Sequence, residues 1–140
     1  MASIAPLNNH HTNDNLLMRW LGSRQDLIVE YTQLAGKVRS NELHAPEELK
    51  QFGERMVDYL SEGHFEIYER LHANSNSLSQ PGASLAQIYQ TTDIAMAFHD
   101  KYFAGQSDDE SLTQLPKDLS TLGEALSIRF ELEDRMISVR

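Results

Sequence analysis

Residues 56–71 read MVDYLSEGHFEIYERL. At about 100° per residue, Met56, Tyr59, Leu60, Gly63, Ile67 and Leu71 fall on one side of a helix. Strand-like alternation is absent. A helix with one apolar stripe has to bury that stripe against other elements, and here its neighbours in sequence have the same period. Phe65 breaks the pattern. It points away from the stripe, and Asp58, Ser61, Glu62 and Glu69 surround it on what should be a wet, acidic face.

On the N-terminal side, Pro46 suits the first position of this helix, and Glu47 and Glu48 suit its positive first turn. The helix is predicted over about 46–73. An earlier helix is predicted over about 14–35, capped by Asn13 or Asp14 and stopped near Gly36. Its stripe is Leu16, Leu17, Trp20, Leu27, Ile28, Tyr31 and Leu34. Residues 1–13 carry no apolar period and are expected as a flexible arm. The pair His10 and His11 in that arm is read as ordinary tail sequence rather than a metal site.

On the C-terminal side, NSNSLSQPG (74–82) has loop chemistry. A third helix is predicted over about 84–104, opened by a capping box at Ser84–Gln87 and ended at Gly105. The acidic linker GQSDDES precedes a fourth helix over about 116–139. Helices three and four carry apolar residues on more than one side: Ile94 and Phe98 lie away from Leu85, Tyr89, Met96 and Phe103, and Ile128, Leu132 and Val139 lie away from Leu119, Leu122, Leu126 and Ile137. Two-sided helices pack between neighbours or meet a partner. The expected fold is all-α, an antiparallel bundle of four main helices in a single domain over 14–140.

Composition narrows the function. The chain has 140 residues, 21 acidic and 12 basic, for a net charge of −9. Residues 1–45 are balanced, so the acid lies in the rest. Such a chain repels nucleic acid and anionic membranes and attracts basic partners. There is no cysteine, which removes thiolate chemistry, disulfides and sulfur-based zinc sites. No secretory pattern and no apolar stretch near 18 residues is present, so a cytoplasmic protein is expected.

Catalytic signals are sparse. There is no nucleophile elbow and no phosphate-binding glycine loop. A di-iron bundle needs two E-x-x-H pairs, and only Glu69–His72 fits. The histidines lack the surroundings of a phosphotransfer site. Arg24 does fall inside the stripe of helix one and Glu133 inside that of helix four, with His99 on the apolar side of helix three. Buried charges must pair. The expectation is a structural Arg24–Glu133 ion pair with a hydrogen-bonded histidine, rather than an acid–base site. No cofactor and no metal is expected.

MVDYLSEGHFEIYERL resembles the central motif of the Rsd/AlgQ family, and LSTLGEALSIRFELEDRMI (119–137) is similar to that family's C-terminal motif. MRWLGSRQDLIVEY (18–31) and TTDIAMAFHDKY (91–102) also look familial. The resemblance covers nearly all of the chain from about residue 14. It implies a helical bundle without enzymatic activity. Such a bundle acts as an anti-sigma factor: it binds the C-terminal domain (region 4) of the primary, sigma-70-class sigma factor and limits its use by RNA polymerase. It also implies that Asp58, Ser61 and Phe65 belong to the partner-binding surface, on the acidic face shared with Glu62 and Glu69. Some members also engage a phosphocarrier protein of the sugar phosphotransferase system through an overlapping surface. The residues alone leave two other classes open: a ligand- or metal-binding bundle, and a bundle that binds a different regulatory protein.

Overall fold

The computed structural model of the protein describes residues 4–40, 46–75, 81–104 and 112–138. Helix α1 spans Ile4–Arg39, α2 Pro46–Glu62, α3 Tyr68–Ser75, α4 Pro81–His99 and α5 Leu115–Ser138; no strand occurs among the described residues. Two π-helical turns complete the set, Gly63–Ile67 between α2 and α3 and Asp100–Ala104 after α4. α2, the first π-turn and α3 follow one another without a break, where the sequence predicts one helix over 46–73.

Three expected boundaries shift, each for a local reason. α1 starts at Ile4, about ten residues before the expected start. Pro6 sits in its first turn, where a missing N–H costs nothing, and no helix breaker separates it from Asp14. The backbone of residues 4–13, expected as an arm, is therefore helical. α1 also runs through Gly36 to Arg39, placing Lys37 and Arg39 against the negative end of the helix dipole; the Ser40 hydroxyl donates to the Gly36 carbonyl at 2.9 Å. α4 starts at Pro81, so Ser84 lies inside the helix instead of capping it. Pro46, Glu47 and Glu48 open α2 as expected. The loops expected at 37–45 and 74–82 are shorter than the sequence suggests, since residues 37–39, 74–75 and 81–82 are helical; residues 41–45 and 76–80, and the linker with its Gly105 stop, lie outside the described residues.

The core follows the stripes. Trp20, Leu27 and Leu34 of α1, Phe52, Met56, Tyr59 and Leu60 of α2, and Ile67, Tyr68 and Leu71 beyond it are buried. They meet Ile88, Ala95, Phe98 and Tyr102 from the α4 side and Leu115, Leu119, Leu122, Leu126, Leu132 and Met136 of α5. Each fully buried large apolar side chain contributes about 1.5–3 kcal/mol. α4 packs along α5 and α1 along α2, while α1 and α3 also touch α5. Two glycines allow close approach. A Cβ on Gly123 would collide with the Tyr31 hydroxyl, and one on Gly53 with the Phe103 ring. Tyr31 uses the space over Gly123 to donate to the Leu119 carbonyl at 2.8 Å. The second apolar sides of helices three and four divide: Phe98 and Leu132 are buried, whereas Ile94 and Ile128 are exposed.

Candidate docking face and the polar core behind it

Phe65 lies within the π-turn Gly63–Ile67. Gly63, Ile67 and Tyr68 face inward and are buried, which leaves Phe65 and Glu66 outward. Phe65 is 80% exposed, the most exposed of the large apolar side chains among the described residues. Asp58, Ser61 and Glu69 are exposed as well, and Glu62 is half-buried. The acidic face continues into an open trough between α1 and α2, whose lining includes Ser23, Glu30, Glu54, Arg55, Asp58 and Glu62. Arg55 is committed within it: its Nε lies 2.7 Å from Glu30 and its Nη1 3.7 Å from Asp26. The surface thus combines one unsupported phenyl ring with a border of carboxylates.

Beneath the same turn lies a closed polar network. Glu133 and Arg129 of α5 are both 0% exposed, and Arg129 Nε lies 3.1 Å from Glu133 Oε2. Tyr59 Oη donates to Glu133 Oε1 and Tyr68 Oη to Glu133 Oε2, each at 2.5 Å. Arg129 Nη2 donates to Tyr68 Oη at 2.7 Å. Its Nη1 donates to Thr91 Oγ1 at 3.1 Å and Thr92 Oγ1 at 2.7 Å, both on α4. The Thr92 hydroxyl also lies 2.9 Å from His64 Nε2. Trp20 stacks on Tyr59, with ring centroids 4.9 Å apart, and donates from Nε1 to the Tyr59 carbonyl at 3.4 Å.

The electrostatics follow from enclosure. Burial first, and then the Glu133 charge, push the Tyr59 and Tyr68 phenols far up, so both remain protonated donors. Burial also pushes the Glu133 carboxyl up, against the pull of Arg129 and the two phenols. His64 is held below the ordinary histidine value by burial and by Arg129. With both charged groups at zero exposure and the hydroxyls mutually engaged, the network holds α2, α3, α4 and α5 together and gives a substrate no access.

The ion pair expected between Arg24 and Glu133 is more divided than the sequence suggests. Arg24 Nη1 lies 3.5 Å from Glu133 Oε1, but its short bond, 2.6 Å, goes from Nη2 to Asp134 on the surface. The short ionic partner of Glu133 is Arg129, four residues earlier on the same helix. Sequence reasoning passed over Arg129, although it lies seven residues after the stripe residue Leu122 and four before Glu133. It also passed over Tyr68, Thr91, Thr92 and His64. His99, expected to be hydrogen-bonded, packs instead beside the Phe103 ring, and its Nδ1 has no hydrogen-bond partner among the described residues. The 3.6 Å separation from Asp100 is too long for one. The side chains of His10, His11 and His72 lie outside those described.

Among the described residues, no group of three histidines and carboxylates is placed to hold a metal ion, and no helix is long and apolar enough to cross a membrane. Comparison with known proteins gives one consistent result. The family described as regulator of RNA polymerase sigma(70) subunit, Rsd/AlgQ, matches residues 6–140. The chain is 39% identical to the Regulator of sigma D of Yersinia pseudotuberculosis serotype O:1b (strain IP 31758), over 89% of this chain and 79% of the relative. It is 38% identical to the protein of that name from Yersinia enterocolitica serotype O:8, over 89% of this chain and 80% of the relative. With that of Sodalis glossinidius the identity is 34%, over 89% and 87%.

Proposed function

Because this chain belongs to the Rsd/AlgQ family of regulators of the RNA polymerase sigma(70) subunit, we propose that it is an anti-sigma factor that binds the C-terminal domain of the primary sigma factor through the Phe65 face. Binding withholds that domain from RNA polymerase, and no reaction is catalysed. The observation that carries this reading is the 80% exposed Phe65 within its border of Asp58, Ser61, Glu62 and Glu69. A domain built to hold promoter DNA presents a basic surface, and an acidic face competes for it. Carboxylates steer and orient such an encounter, while a central aromatic supplies the affinity. A phenyl ring left in water is an unspent gain of about 1.5–3 kcal/mol that docking can recover.

Calorimetric titration with the purified sigma domain tests this. Phe65→Ala is expected to weaken binding by about 2 kcal/mol or more, in the range of an interface hot spot, and to leave the thermal melt unchanged, because the ring supports nothing in the fold. Asp58→Lys is expected to weaken binding through like-charge repulsion. Unchanged affinity in Phe65→Ala would move the docking surface elsewhere on the molecule.

A further inference from the structure

Tyr59 and Tyr68 are nine residues apart. In an uninterrupted α-helix, at about 100° per residue, they would face opposite sides. Both nevertheless reach the two oxygens of one carboxylate, Glu133, at 2.5 Å. The π-turn between them accounts for this. It takes up one extra residue, so the rotation from Tyr59 to Tyr68 is that of about eight α-helical residues, roughly 80°. Tyr68 is also the residue whose backbone N–H closes the turn onto the Gly63 carbonyl. Its hydroxyl is fixed from the far end by Arg129. Gly63 matches the tight inner wall: a Cβ there would lie 3.0 Å from the Tyr68 hydroxyl and 3.3 Å from the Trp20 ring. The outer side of the widened turn carries Phe65.

The turn has no easy route to an α-helix. Losing the π register without losing a residue would rotate α3 by about 100° against α2. That rotation would carry Tyr68 out of the core and leave Arg129 and Glu133 short of a shared hydroxyl. The buried network and the exposed ring are therefore two sides of one turn.

Phe65 would face outward in either register, so the π-turn sets the direction of the ring rather than its exposure. We infer that the π-turn Gly63–Ile67 aims Phe65 for docking, and that Tyr68, Glu133 and Arg129 are positioning residues that hold it from inside without touching the partner. This rests on the reading of Phe65 as the docking anchor.

Deletion of Glu66 provides a direct test. It removes the extra residue and leaves Tyr59 and Tyr68 eight residues apart, at the phase they have now. The full-length deletion variant is expected to melt within about 3 °C of the parent, yet to lose affinity for the purified sigma domain about as strongly as Phe65→Ala, roughly tenfold or more. A second arm needs no partner. Tyr68→Phe keeps the ring and drops the hydroxyl. Amide exchange at residues 64–67 is expected to rise about tenfold while that of α1 holds, the pattern of local opening rather than global loss. Parent affinity in the deletion variant overturns the inference. So does exchange in Tyr68→Phe that is unchanged at the turn or raised evenly along the chain, which decides the matter if the deletion variant fails to fold. If Phe65→Ala itself binds like the parent, the docking reading fails, and the exchange arm still reports whether Tyr68 holds the turn.

Discussion

The Glu133 carboxylate shows why a single buried charge can be the most sensitive position in a small bundle. It meets Tyr59, Tyr68 and Arg129, with Arg24 at 3.5 Å. Glu133→Gln keeps the shape but removes the charge that compensates Arg129, which is 0% exposed. Breaking one side of such a pair costs about 3–5 kcal/mol, so urea titration is expected to show a loss of that size. A midpoint near the parent's would place Arg129 in contact with water. His64 carries a pH signature of its own. Its pKa is lowered in the fold by burial and by Arg129, so near and below about pH 6.5 the unfolded chain binds this proton more readily. The stability it confers is complete above that value and is lost progressively as pH falls from there through the lower folded pKa. Urea melts taken from neutral pH downward should therefore decline more steeply in the parent than in His64→Gln; equal slopes would sink this assignment. The sequence revealed the two charges lying in apolar stripes, because charge and period are local properties. The Arg129–Glu133 pair was legible as well, as an i, i+4 spacing on one helix; what period does not give is how far α1 stands from α5, and so that Arg24 makes its short bond to Asp134.

Helix ends and glycines make the element scale testable in both directions. Gly123 and Gly53 admit the Tyr31 hydroxyl and the Phe103 ring. Gly123→Ala and Gly53→Ala should each destabilise by about 1–3 kcal/mol, the usual cost of forcing extra volume into a packed site. Gly22 and Gly36 lie in α1 with nothing near an added Cβ. Gly22→Ala and Gly36→Ala should each stabilise by about 0.5–1 kcal/mol, since alanine loses less backbone freedom in a helix. Thermal melts of the four variants check the signs, and a uniform response would contradict the packing described. The helices themselves were legible because Pro46 and its two glutamates, and the stripe from Met56 to Leu71, are strong local signals. The π-turn was not. Met56, Leu60, Gly63, Ile67 and Leu71 satisfy an uninterrupted α-helical stripe, so their period carries no sign of the extra residue; the sign is Tyr68, which falls off that stripe and is nevertheless buried.

The whole molecule is an acidic body with its most exposed large apolar side chain among the described residues, Phe65, on an acidic face. With a net charge of −9, its long-range field draws a basic domain toward it, and salt weakens that field within about 8–10 Å at physiological ionic strength. Affinity for the sigma domain should fall steadily from low to high salt, and Phe65→Ala should lower it at every salt concentration, because burial of a ring is not screened. A salt-independent parent complex would remove the electrostatic part of the docking argument. The placement of the buried pair also bears on synthesis. Arg129 and Glu133 both lie on α5, yet the hydroxyls they bind belong to α2, α3 and α4. A ribosome delivers Trp20, Tyr59, Tyr68, Thr91 and Thr92 before it delivers the charges that join them. Before α5 emerges, these hydroxyls lack both members of the buried pair that joins them. The network cannot close before α5 emerges, so the turn that carries Phe65 is expected to reach its final form only then.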